Sequence, residues 1–233
     1  MKVYKIELLT KDDFYKFEKL DERFYFYDVI LVAANTNEIK IRDLERWLSK
    51  SEIKRSKSYV SEIAKINFVI SRVIVNITFK EILKADIENL NFQRNSNNKP
   101  FIENPKGIKF NISHTDGCVI AGFSKREIGV DVEKINKRFS FQDILKECFV
   151  QKEINLIRNK HTLFFKYWTA KEAYLKWEGS GLLRDPKEIE ILYADESLIK
   201  IRDKKIKKVK TLKPIELFKD YVGALCTSEE IWI

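Results

Sequence analysis

Residues 108–133 constrain the fold most. Three short apolar runs, 108–113, 118–124 and 128–133, are separated only by a turn holding Asp116-Gly117 and by residues 125–127. Asp-Gly between β-rich runs is a strong hairpin signal, because tight hairpin turns need positive φ. An antiparallel meander is expected, with Asp131 and Glu133 at its exit. Side chains alternate along a strand, so these two acids share one face and Val130 and Val132 take the other. The valines would point into the core and hold the acids outward. Neighbouring carboxylates repel, and burying them is costly unless they are paired or metal-bound. Two readings stand: an edge strand with two solvated acids, or part of a cation site.

The rest of the chain alternates strands and helices. Residues 2–9 alternate polar and apolar as a strand does, and 27–34 read as a buried strand. Residues 41–50 place Ile41, Leu44, Trp47 and Leu48 on one helix face. A longer helix is expected over 58–84, with Ser61, Lys65, Arg72, Asn76 and Lys80 as a narrow wet stripe. The charged and amide residues within it argue against a membrane span. Short helices follow at 141–149 and 152–157, then a strong helix at 163–177 with Gly179 as its stop. Residues 189–193, 198–202 and 221–226 read as strands. The lysine-rich stretch 200–210 is a solvated strand face or a patch for an acidic partner.

Composition narrows the function classes. At 44% hydrophobic and 34% charged, the chain of 233 residues can build a core. Three widely spaced cysteines make no disulfide framework, and residues 1–9 form no apolar leader, so a reducing cytoplasm is expected. With only seven glycines there is no nucleotide-binding glycine loop. The net charge of +9 favours an acidic partner or a phosphate-rich ligand.

On the helix at 163–177, Glu172 and Lys176 lie four apart and share a face with Trp168 and Thr169. An ordinary surface pair of this kind contributes about 0.3–0.5 kcal/mol. Here Phe165, Trp168, Tyr174 and Trp177 crowd around it, which puts Glu172 at the margin of something buried. Asp131, Glu133 and Glu172 could supply hard oxygen ligands to Mg²⁺, which completes its octahedron with water and substrate phosphates. That chemistry suits a pyrophosphate substrate. His114, beside Ser113 and just before the turn, is either solvated or a donor to phosphate oxygens. Lys99, ahead of Pro100, is another phosphate candidate, and His161 is left as surface.

Four blocks in order give the chain a resemblance. Asn98-Lys99-Pro100, residues 110–114 (Phe-Asn-Ile-Ser-His), residues 129–133 (Gly-Val-Asp-Val-Glu) and residues 168–176 (Trp-Thr-Ala-Lys-Glu-Ala-Tyr-Leu-Lys) match G-K-P, F-N-x-S-H, G-x-D-x-E and W-x-x-K-E-A-x-x-K. Together they resemble the 4′-phosphopantetheinyl transferase superfamily, in its longer, monomeric, two-half type that activates carrier domains of peptide and polyketide synthases.

The resemblance implies an α+β fold of two similar α/β halves with pseudo-two-fold symmetry, divided here as 1–125 and 126–233, with coenzyme A between them. It implies transfer of the 4′-phosphopantetheine arm of coenzyme A, the co-substrate, to a serine of an apo acyl or peptidyl carrier protein, releasing adenosine 3′,5′-bisphosphate. By position, Asp131, Glu133 and Glu172 would hold Mg²⁺, with Mn²⁺ as the alternative. Glu172 or a water on the metal would take the serine proton, and Lys176 would steady phosphate charge. Ser113 and His114 would contact the coenzyme A phosphates, with Lys99 and Pro100 near the nucleotide end. A cytoplasmic monomer is expected, with no nucleic-acid or membrane partner.

The chain departs from the pattern twice. Asn98 stands where the family has glycine, which is expected to perturb that loop. Ile66 falls where an arginine usually holds the 3′-phosphate, leaving Lys54, Arg55 or Lys65 for that duty. A basic nucleic-acid-binding module is the competing reading, but the basic residues are scattered among acids and no RNA motif is visible.

Overall fold

The computed structural model describes residues 1–228, apart from the side chains of Lys11 and Leu182. It divides into two compact units, Met1–Arg126 and Glu127–Ile233, each mixing helix and sheet around its own core.

The first unit runs β1 (Val3–Leu8), α1 (Leu20–Phe26), β2 (Val29–Asn35), α2 (Lys50–Ser56), α3 (Glu62–Leu83), β3 (Phe92–Arg94), β4 (Pro100–Ile102), β5 (Lys109–Thr115) and β6 (Cys118–Ser124). Its main sheet has the order β1-β2-β6-β5, parallel only between β1 and β2; β3 and β4 form a separate hairpin. The near-continuous apolar run of β2 is explained by burial on both faces. α3 is capped by Ser61, whose side chain accepts from the Ala64 amide at 3.3 Å. Val69, Val73, Ile77 and Phe79 of α3 enter a core shared with Val32, Phe110 and Phe123.

Three local expectations change here. Residues 41–50 do not form one helix: Ile41–Trp47 is a 3-10 segment and Leu48 is extended. α2 then starts afresh, because Ser49 and Glu52 form a reciprocal capping box. The wet stripe of α3 is partly internal, since Asn76 is fully buried and donates to Trp47 O at 2.9 Å and Glu52 Oε2 at 2.7 Å. The meander holds only for its first hairpin. β5 and β6 pair around Asp116-Gly117, but β6 has β2 on its other edge, so no edge is left for the next strand.

That strand, β7 (Ile128–Lys134), opens the second unit. Then come α4 (Gln142–Cys148), α5 (Gln151–Ile157), α6 (His161–Glu178), β8 (Ile189–Ala194), β9 (Ile199–Asp203), β10 (Lys208–Ile215) and β11 (Tyr221–Thr227). The sheet is antiparallel throughout, in the order β7-β11-β10-β9-β8, with β7 at one edge. β10 was not foreseen, because its lysines masked the alternation that turns Leu212 inward. α6 ends where Gly179 takes φ +92 and donates its N–H to Leu175 O at 2.9 Å. The aromatic content of α6 goes into the core, where Phe164 stacks on Phe141 at 4.3 Å. His161 joins that edge, lying T-shaped against Phe141 at 4.9 Å. No helix among the described residues is long and apolar enough to cross a membrane.

Candidate active site

Gly129 sets how closely α6 crosses β7. A Cβ at Gly129 would fall 2.1 Å from Ala173 O and 2.3 Å from Trp177 N, far inside van der Waals contact. The bare strand backbone therefore meets the helix backbone directly. Two residues on, and so on the same strand face, stands Asp131. Lys176 of α6 donates to Asp131 Oδ1 at 2.7 Å. Asp131 is only 4% exposed, and Val130 and Val132 on the opposite face are buried as well. This corrects the expectation that the valines hold the acids outward.

Glu172 lies one helical turn before Lys176. Burial first, and the Asp131 charge second, push its carboxyl up to about 7, while Lys176 pulls the other way. Glu172 Oε1 is buried and accepts no hydrogen bond among the described residues. A buried, under-satisfied carboxylate beside a second carboxylate is a place where positive charge would be stabilised. Glu133 continues the Asp131 face of β7 into its half-buried end. Among the described residues, no group of three or more His, Cys, Asp or Glu is gathered closely enough to hold a metal. The structure thus brings together Asp131, Glu172 and Lys176.

The same stretch of α6 is held by a second polar group that sequence reasoning missed. Tyr174 donates its hydroxyl to Asp203 Oδ2 at 2.6 Å. Arg184 binds both oxygens of Asp203, at 2.8 and 2.5 Å, and also pairs with Glu178 and Glu188. These contacts hold the Asp203 carboxyl below its ordinary range, despite its burial.

The remaining candidates lie in the first unit. Ser113 and His114 are consecutive on β5, the first buried and the second exposed. Lys99 and Pro100 lead into β4 from a turn in which Asn98 has φ +64. Asparagine tolerates that left-handed conformation better than most residues, so it can stand at a glycine position. The Asn95 side chain accepts from the Asn97 and Lys99 amides at 3.0 and 2.9 Å. The Asn95 side chain thus closes the turn that carries Asn98 and Lys99. Lys65, on the first turn of α3, pairs with Glu62 at 3.5 Å.

Arg55 belongs to a cationic group that sequence reasoning did not assemble. It lies 4.9 Å from the Phe68 ring centroid, and Arg72 lies 3.6 Å from that of Phe92. Burial lowers the Arg72 pKa; the Glu52 charge opposes this, and the charges of Arg55 and Arg94 add to the lowering. Arg94 in turn donates to Asn98 O at 2.8 Å, in the turn that carries Lys99. Arg72 had been visible only as one member of a polar stripe, and nothing in the sequence placed Arg55 and Arg94 near it.

Comparison with known proteins gives consistent matches. Residues 127–226 match the model of the 4′-phosphopantetheinyl transferase superfamily, and residues 36–125 match that of the 4′-phosphopantetheinyl transferase N-terminal region. The chain is 29% identical to 4′-phosphopantetheinyl transferase HetI of Nostoc sp. over 169 residues, 69% of this chain and 71% of that protein. It is 30% identical to a phosphopantetheinyl transferase of Thraustochytrium sp., over 60% of this chain and 55% of that one. It is 28% identical to 4′-phosphopantetheinyl transferase Sfp of Bacillus subtilis, over 60% of this chain and 69% of that one.

Proposed function

The chain belongs to the 4′-phosphopantetheinyl transferase superfamily, in its longer type, and on that premise we propose the reaction it carries out. It transfers the 4′-phosphopantetheine group of coenzyme A to a serine of an apo acyl or peptidyl carrier protein and releases adenosine 3′,5′-bisphosphate. The observation that carries this reading is the buried pairing of Asp131 and Glu172 with Lys176 set against Asp131.

Each group has a part in the chemistry. The serine Oγ bonds to the phosphorus bearing the pantetheine arm. The bond from that phosphorus to the bridging oxygen breaks, and its electron pair leaves on adenosine 3′,5′-bisphosphate. Glu172, or a water beside it, is the group proposed to take the serine proton. Lys176 offsets phosphate charge as an ammonium on a flexible stem. The buried, under-satisfied Glu172 oxygen beside Asp131 suits a divalent cation, and Glu133, further along the Asp131 face of β7, would have to draw closer to serve as third ligand on this reading. Mg²⁺, or Mn²⁺ in its place, would supply neutralisation of pyrophosphate charge. His114 and Ser113 contact coenzyme A phosphates. Arg55, with Arg72 and Arg94 beside it, takes the duty of the missing 3′-phosphate arginine, and Lys99 and Pro100 lie toward the nucleotide.

We read the two units as related halves, since each sets one long helix, α3 or α6, against a sheet. The widely spaced cysteines fit a cytoplasmic enzyme, and a monomer is the assembly proposed.

The test is a mass shift. Incubation with coenzyme A, Mg²⁺ and apo carriers of fatty-acid, polyketide and peptide type should make at least one carrier heavier by one phosphopantetheine group. No shift across the panel would sink the proposal. Asp131→Ala should abolish turnover, and full activity in that variant would remove the metal assignment.

A further inference from the structure

Lys171 belongs to the block that carries the family resemblance, yet it takes no part in the Asp131, Glu172 and Lys176 group. Its side chain is wholly buried. The three protons of its ammonium have three acceptors: Glu153 Oε2 at 2.8 Å, Cys148 O at 3.0 Å and Pro186 O at 3.2 Å. Its nitrogen also sits 4.6 Å from the Phe149 ring centroid. Glu153 is as fully used. Its Oε2 accepts from the Val150 amide at 3.0 Å and its Oε1 from the Ile191 amide at 2.7 Å.

A lysine whose donors are all taken inside the protein reaches a substrate phosphate only by leaving a buried carboxylate unpaired. Its contacts instead tie α6 to the end of α4, the start of α5, the 3-10 turn Pro186–Glu188 and β8 at one point. A slide of α6 by one residue would carry the ammonium about 1.5 Å along the helix axis and break this set. Glu172 is the next residue in the chain, so its backbone is fixed wherever that of Lys171 is fixed.

We propose that the buried Lys171–Glu153 pair is a positioning device that seats α6 and so holds Glu172 against Asp131, and that Lys171 is not a phosphate ligand. The proposal rests on the metal reading given above, in which Asp131 and Glu172 share a cation. Residues that orient metal ligands typically change metal affinity by about tenfold or more when replaced.

The experiment uses the full chain and Mn²⁺ as probe. Free Mn²⁺ is measured by electron paramagnetic resonance without coenzyme A, together with melting temperature, kcat and the KM for coenzyme A. The first variant is Lys171→Met with Glu153→Gln, which removes both charges together. If it folds, Mn²⁺ affinity should fall about tenfold and kcat in parallel, with the KM for coenzyme A within about twofold of wild type. If it does not fold, Glu153→Asp keeps the charge, shortens the tether by one methylene and is judged by the same criterion. Wild-type Mn²⁺ affinity in a folded variant overturns the inference alone, because the pair is then merely structural. A raised KM for coenzyme A with unchanged Mn²⁺ affinity also overturns it, because Lys171 then meets phosphate. A wild-type protein that binds no Mn²⁺ overturns the metal reading itself, and the inference falls with it.

Discussion

At the scale of single residues, Glu172 ties stability to pH. Its folded pKa, about 7, lies above the ordinary 4.5, so the neutral carboxyl is the form the fold prefers. The contribution to stability is full below about pH 4.5 and is lost as pH rises through 7, by an amount on the order of 3 kcal/mol. Metal-free wild type should therefore melt lower at pH 8 than at pH 5.5, and Glu172→Gln should flatten that slope. An unchanged slope in Glu172→Gln would assign the effect to other groups. Gly129→Ala tests the closest helix–strand contact. The added methyl must displace helix backbone, so a loss of about 3 kcal/mol or more is expected in denaturant unfolding, with loss of turnover. The pairing of Asp131 with Glu133 on one face was legible from spacing. The burial of Asp131 was not, because period two says which side a residue faces and nothing about what covers it.

Among elements, α6 is the one that most depends on distant partners. The Asp203 carboxylate on β9 accepts from Tyr174 of α6 and from Arg184 in the connection after it. Asp203→Asn removes the most buried of the three carboxylates that meet Arg184, while Glu178 and Glu188 remain, so a loss of about 1–3 kcal/mol is expected. A melting curve shifted down by several degrees, with the KM for coenzyme A unchanged in the folded fraction, is the expected result. The α6 helix, its glycine stop and the β5–β6 hairpin were readable, since each is written in local chemistry: aromatic periodicity, Gly179 and Asp116-Gly117. The departure of β7 to a second sheet was not readable. Its partner, β11, is about ninety residues further along, and β6 is claimed from its other side by β2. The capping box at Ser49 was present in the sequence but was overridden by an apolar pattern that ran through it.

For the whole molecule, the two units each hold a complete core; the Arg55, Arg72 and Arg94 group lies in one, and Asp131, Glu172 and Lys176 in the other. If the proposed carrier substrate is acidic, a chain of net charge +9 should associate with it faster at low salt. Raising ionic strength from about 0.1 M to about 1 M cuts the screening length from about 10 Å to about 3 Å. At saturating coenzyme A, kcat/KM for the carrier should then fall about tenfold, and a flat response would separate the net charge from carrier capture. The fold class was accessible from the sequence through four short blocks. The arginine group was not, since Arg55, Arg72 and Arg94 come from three elements that only folding brings together. The lysine that lies against Asp131 has one more consequence. The most buried acid of the site carries its own counter-ion from the moment the chain folds. If the proposed cation is bound there, chelation below neutral pH should therefore idle the protein rather than melt it, and adding metal back should restart it.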